Sequence, residues 1–239
     1  MSWNGEYLPS PIPREALPKH IAFIMDGNGR WAKAQGKPRE YGHKEGAKVF
    51  RKLVEYCGDV GIPVVTVYAF STENWRRPAA EVNAIMTLLQ SYIDDAFRTF
   101  TEKGIRIRFL GEKTPFPKRM REKMERLERE SAGNPRTLCV ALNYGSRAEI
   151  VRAASNLAAA GKEITEESLS GALYTGDLPD PDLIVRTAGE ERLSNFLLWQ
   201  AAYAEFYFTP TLWPDMTEES VNEALLEFAR RTRRFGGVV

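Results

Sequence analysis

Hydrophobic positions along the chain fall into two alternating rhythms. Short, nearly unbroken apolar runs rich in β-branched and aromatic residues occur at 20–26, 64–70, 105–110, 138–142, 183–186 and 206–208. Runs of this length, bounded by polar or glycine-containing segments, predict strands buried on both faces. Between them, apolar residues recur at i, i+3, i+4 and i+7, the spacing of one helix face. Val49, Leu53, Tyr56, Cys57 and Val60 predict a helix over 42–60, ended with the help of Gly58 and Gly61. Ile85, Leu88, Leu89, Tyr92, Ile93, Ala96, Phe97 and Phe100 predict the longest helix, over 81–103. Shorter ones are predicted over 117–130, 147–160 and 218–231, and a glycine-rich loop after residue 26.

Strands alternating with helices predict the α/β class: a single domain whose largely parallel sheet of about six strands is covered by helices on both faces. In such sheets ligands bind beyond the carboxyl ends of the strands. The segments that follow the predicted strand ends, 26–31, 71–77, 143–147 and 186–194, are the polar ones. A length of 239 residues suits one domain. Residues 1–19, with Pro9, Pro11, Pro13 and Pro18, read as a proline-rich lead-in and 20–239 as the domain.

Composition narrows the partners. With 43% hydrophobic and 27% charged residues the chain can bury a core, and its net charge is only +1. The arginines nevertheless cluster at 30–39, 76–77, 186–192 and 230–234. A balanced chain with local clusters points to small anions rather than a nucleic-acid backbone. Cys57 and Cys139 lie in apolar runs without CxxC spacing, so free buried thiols are expected. Neither a signal-like segment nor a membrane-length apolar window is present, which predicts a cytoplasmic protein and leaves contact with a membrane surface open.

Three clusters carry candidate chemistry. Asp26-Gly27-Asn28-Gly29-Arg30-Trp31 sets a carboxylate, two glycines and an arginine at a strand mouth. It can hold a diphosphate with a metal beside it, or simply be an Asx-stabilised turn. It is neither a P-loop nor a GxGxxG sequence. Ser71-Thr72-Glu73-Asn74-Trp75-Arg76-Arg77 offers hydroxyl, amide and guanidinium donors and a flat indole, although Ser71 or Thr72 can equally cap a helix. Arg186 to Asn195 holds two arginines and a serine; the planar guanidinium meets phosphate oxygens bidentately, and surface ion pairing is the plainer alternative. Glu205, in an apolar run, must be paired, protonated or metal-bound, the last if Asp26 lies nearby. His43 can face a phosphate or cap its helix.

Taken together these segments, with Gly42-His43-x2-Gly46, Asn143-Tyr-Gly145, Arg192-Leu-Ser-Asn-Phe-Leu-Leu-Trp-Gln200, Glu205-Phe-Tyr-Phe208 and Arg233-Arg-Phe-Gly-Gly237, resemble the bacterial undecaprenyl diphosphate synthases, in order and spacing from Pro18 onward. The resemblance implies a cis-prenyltransferase that condenses isopentenyl diphosphate successively onto farnesyl diphosphate, with Mg²⁺, as a homodimer. It implies a hydrophobic tunnel for the growing chain, an undecaprenyl-length product serving as lipid carrier for cell-wall synthesis, and a terminal 233–237 segment reaching the isopentenyl site. By the same resemblance Asp26 handles metal and diphosphate. Gly27, Asn28, Gly29, Arg30, Trp31, Arg39, His43 and Arg77 hold the allylic substrate, and Ser71, Thr72, Glu73 and Trp75 join the substrate set. Arg186, Arg192, Leu193 and Ser194 anchor isopentenyl diphosphate, and Glu205 is a metal ligand. Asn74 matches the residue assigned to proton removal, but an amide is no base at neutral pH, so it orients the acceptor.

Two departures stand out. Ala188 replaces a more usual glycine, and Glu191 a frequent histidine. The alternatives are a shorter product or a non-catalytic subunit of the same family; retention of Asp26, Arg30, Asn74, Arg186, Arg192 and Ser194 favours activity. All-helical trans-type synthases carry DDxxD, which Asp94-Asp95-Ala-Phe-Arg98 breaks.

Overall fold

The computed structural model describes residues 10–231, without the side chains at 95–98 and 101. The 233–237 motif and the side chains of Asp95, Ala96, Phe97 and Arg98 therefore lie outside what is described. Six strands form one sheet: β1 (His20–Ile24), β2 (Val64–Ser71), β3 (Ile105–Leu110), β4 (Arg136–Tyr144), β5 (Leu183–Arg186) and β6 (Glu205–Phe208). Their order is β3-β4-β2-β1-β5-β6, and every pairing is parallel. Nearly all residues of β1, β4 and β5 are buried, as a sheet covered on both sides requires.

Alternate residues of each strand serve opposite faces. Ile21, Phe23, Leu138 and Leu142 join the larger core with α2 (Arg39–Val60), α3 (Ala79–Glu102), α4 (Lys118–Ser131) and α7 (Glu218–Arg230). Ala22, Ile24, Cys139 and Ala141 face a smaller cluster with Phe196, Leu197 and Ala201. Behind it α5 (Ser146–Ala159) and α6 (Glu166–Ala172) pack on each other through Ala153, Leu157, Leu169 and Leu173. Both cysteines are buried and free, and burial pushes each thiol up to about 12.

Two helices depart from expectation. The segment after Asp26 is a helix, α1 (Asn28–Ala34), not a loop. Gly27 makes the start possible: its φ of 104° is strained for any residue with a Cβ, and a Cβ there would meet Leu212 at 2.9 Å. The α6 helix was not anticipated either; Thr165 caps it by accepting from the Ser168 amide at 3.1 Å.

Candidate active site

The parallel order brings the carboxyl ends of β1, β2, β4 and β5 to one rim, where an open cavity of about 800 Å³ begins. Asp26, Asn28, His43, Arg77, Arg186, Arg192 and Ser194 line its polar end. Ile85, Leu89, Ile93, Phe100, Ile107 and Val140 line its apolar depth, between α3 and the sheet. The α3 stripe thus serves both as core face and as cavity wall.

Arg186, ending β5, is 3% exposed and organises the polar end. Its Nη2 donates to Asp26 Oδ2 at 3.0 Å, while Nη1 donates to Ser194 Oγ at 2.8 Å and to the Arg192 carbonyl. Asp26 is held in turn by its backbone. Its amide donates to Thr187 Oγ1 at 2.9 Å, its carbonyl accepts from Thr187 Oγ1 at 2.7 Å, and its Oδ1 accepts from the Gly27 amide at 2.7 Å. Arg30 stands 3.8 Å from Asp26 and 3.4 Å from Glu190, which also accepts from Arg192. This rim therefore sets three arginines, Arg30, Arg186 and Arg192, around two carboxylates, Asp26 and Glu190.

On the α2 side, Glu81 is a nearly buried carboxylate between Arg77 at 2.9 Å and Arg39 at 3.5 Å. It stands in the first turn of α3, where an acid is favourable on its own, and here it is also the partner of two arginines. His43 beside them is held below its ordinary pKa, first by burial and then by Arg77, with Glu81 opposing. His43 Nε2 and Asn28 Oδ1 are buried atoms without a protein partner, both on residues that line the cavity. Buried polar atoms want partners, so this wall is built to meet a polar ligand or water.

In the loop after β2, Asn74 Oδ1 accepts from the Ser71 amide at 3.0 Å. That leaves its NH₂ to face the cavity as a donor. Ser71 and Glu73 also line the cavity. The remaining predicted residues stand behind this wall. Trp75 donates to Asn143 Oδ1 at 2.7 Å and packs on Phe70, Thr72 donates to Glu73 at 3.1 Å, and Leu193 packs on the smaller cluster. Trp31 donates to Asp215 at 2.6 Å and stacks on Tyr41, while Gly29 lies against the Arg39 guanidinium.

Glu205 is not brought to Asp26 within one chain. It opens β6 and pairs in register with Leu183, whereas Asp26 follows the opposite end of β1. At about 3.3 Å per residue that separates them by roughly 15 Å along the strands, besides two strand spacings across. Its carboxylate accepts instead from Arg231 at 2.9 Å. The condition for Glu205 to bind metal beside Asp26 is thus unmet in the single chain, because β6 is the sheet edge and runs parallel to β5.

Residues 24–236 match the model of the family described as "Putative undecaprenyl diphosphate synthase". The chain belongs to this family. It is 51% identical over 224 residues to an isoprenyl transferase of Fusobacterium nucleatum, covering 93% of this chain and 97% of that one. It is 50% identical over 245 residues to the isoprenyl transferase of Heliobacterium mobile, covering 99% and 94%. Among solved structures, lavandulyl diphosphate synthase from Lavandula x intermedia, in complex with dimethylallyl diphosphate, superposes with a TM-score of 0.89 at 34% identity, over 93% of this chain and all of that one. "A probable undecaprenyl diphosphate synthase" from Campylobacter jejuni gives 0.79 at 37% identity, over 92% and 99%. The fold and prenyltransferase membership expected from the sequence are therefore established.

Family membership fits a cavity that is cationic at one end and apolar at the other. Among the lining residues that had not been singled out from the sequence, two carry strongly polar side chains. Arg147, at the start of α5, and Asn195, beside Ser194, both face the polar end. A strand-end position was the available signal for Arg147; Asn195 gave none beyond its motif. Among the described residues no three His, Cys, Asp or Glu side chains form a cation site of their own. Among the same described residues no helix is long and apolar enough to cross a membrane.

Proposed function

We propose that this prenyltransferase adds isopentenyl diphosphate repeatedly to farnesyl diphosphate with cis double bonds, giving an undecaprenyl-length diphosphate that serves as lipid carrier in cell-wall synthesis. The observation that carries this reading is one continuous cavity with Arg186, Arg192, Ser194 and Asp26 at its mouth and an apolar depth along α3. We further propose a cytoplasmic homodimer that contacts the membrane to release product.

In the condensation, the isopentenyl double bond attacks the allylic C1, the C1–O bond breaks, and a proton leaves the new carbon chain. Negative charge grows on the departing diphosphate, and fixed donors stabilise it more in the transition state than before. The Gly27 and Asn28 region, Arg30, Arg39, His43 and Arg77 are assigned to that diphosphate, and Arg186, Arg192 and Ser194 to isopentenyl diphosphate. Asn74, with its oxygen engaged by Ser71, presents NH₂ and orients an acceptor; a diphosphate oxygen takes the proton. Mg²⁺ characteristically uses one or two carboxylates with substrate phosphate oxygens, so the single partly exposed Asp26 fits as its protein ligand. When bound, Mg²⁺ would neutralise charge developing on the leaving diphosphate.

The test supplies both diphosphates with and without Mg²⁺ and follows diphosphate release, with chromatography of the products. Turnover that requires all three components is expected. Asp26→Asn, which keeps an acceptor for buried Arg186, should lose on the order of 10²-fold or more in rate with its melting temperature held. A wild-type chain inert with both substrates would favour the non-catalytic subunit.

A further inference from the structure

Asn195 lies where three parts of the site meet. Its carbonyl accepts from the Ser146 amide at 2.8 Å and its Oδ1 from the Arg147 amide at 2.9 Å. These are the first amides of α5, whose N-cap residue, Gly145, has no side chain to offer. Helix N-termini leave such amides without intrahelical partners, so Asn195 caps α5 from a distant point in the chain. Its Nδ2 donates to Glu73 Oε1 at 3.0 Å, in the loop after β2. Immediately before it stands Ser194, whose hydroxyl accepts from Arg186.

The local backbone is strained to achieve this. Ser194 and Asn195 have φ of 50° and 64°, left-handed values that residues with a Cβ seldom adopt, serine more seldom than asparagine. Such conformations persist where their surroundings over-determine them, and the bonds of Asn195 supply that constraint. Gly145 makes room: a Cβ there would come 2.7 Å from both Asn195 Nδ2 and Thr72 Oγ1. Glu73 is held below its ordinary pKa; burial opposes this, and hydrogen bonds including those from Asn195 and Thr72 outweigh it.

We propose that Asn195 is a positioning residue for chain extension: it fastens the loop of Arg192 and Ser194 to α5 and to Glu73, so that the isopentenyl diphosphate anchor is formed before that substrate arrives. The inference rests on the assignment of Arg186, Arg192 and Ser194 to isopentenyl diphosphate. A preformed anchor spares substrate the cost of ordering a loop, so loss of the fastening appears chiefly in KM.

The test uses the full chain with saturating farnesyl diphosphate and Mg²⁺ while isopentenyl diphosphate is varied. Asn195→Asp keeps an acceptor for the Arg147 amide and sets a second carboxylate against Glu73. Adding Glu73→Gln restores a donor and acceptor with the direction reversed. Asn195→Asp should raise KM for isopentenyl diphosphate about tenfold, with kcat reduced less than about threefold. Because Glu73 itself lines the cavity, the double variant is compared with Glu73→Gln alone, and its KM should fall within about threefold of that single variant. An unchanged KM in Asn195→Asp overturns the proposal, as does a rise that Glu73→Gln leaves undiminished. A lowered melting temperature with unaltered KM would reduce Asn195 to a helix cap and overturn it too. A wild-type chain without turnover would instead defeat the transfer reading on which the inference stands.

Discussion

His20 shows how one residue can tie the sheet to pH without touching the cavity. It opens β1 with no exposed surface, its Nδ1 donating to the Pro179 carbonyl at 2.8 Å and its Nε2 accepting from Thr66 at 2.7 Å. Burial lowers its pKa from 6.5 to about 4, against the Pro179 bond and Asp182, which raise it. Above pH 6.5 both folded and unfolded forms are neutral and nothing is lost. Between 6.5 and about 4 the unfolded chain takes up a proton that the folded chain refuses, so stability falls with pH, by at most about 3 kcal/mol. Urea midpoints at pH 7.5 and 4.5 should therefore separate more for wild type than for His20→Gln. Equal separations would show that this histidine is not the group responsible. The other histidine, His43, carried its motif visibly in the sequence, and Arg39 stands one helical turn before it on α2, but its unpartnered Nε2 and its neighbour Arg77, which precedes α3, came only with the fold.

At the scale of elements, strands and long helices were legible because periodicity reports burial directly. The observed β3 and β5 have the predicted bounds, and α3 runs from Ala79 to Glu102 against a predicted 81–103. The α1 helix was not legible, since Gly27, Asn28 and Gly29 are turn formers and only seven residues follow the cap. Its helical state comes from packing on α2. A Cβ at Gly42 would come within 2.0 Å of the Asn28 carbonyl, so the two helices meet at backbone contact. Two effects oppose each other in Gly42→Ala. Helix propensity favours alanine by about 1 kcal/mol, whereas forcing atoms into a packed contact typically costs about 1–3 kcal/mol. Here the obstacle is backbone, and the clash should win. We expect a melting temperature several degrees lower and a raised KM for the allylic substrate, because Asn28 lines the cavity. A stabilised variant with normal KM would mean that α1 can shift without consequence. The Asn195 fastening was illegible for a different reason: its partners are remote in sequence, and no period or composition signals a helix capped from elsewhere.

For the whole molecule, the order of the strands decides what the sequence could not. Knowing six strands does not give β3-β4-β2-β1-β5-β6, and that order makes β6 an edge and carries Glu205 away from Asp26. It also sets the cavity against β4 and α3, and so bears on product length. If the depth of the cavity limits growth, filling it should shorten the product. Val140, on β4, lines the cavity, and Val140→Phe adds four carbons there, close to the five of one isoprene unit. The expected result is a distribution shifted down by about one isoprene unit, read by chromatography of the dephosphorylated products, with little change in the rate of the first condensation. An unshifted distribution would indicate that α3 yields freely and that the wall at Val140 sets no limit.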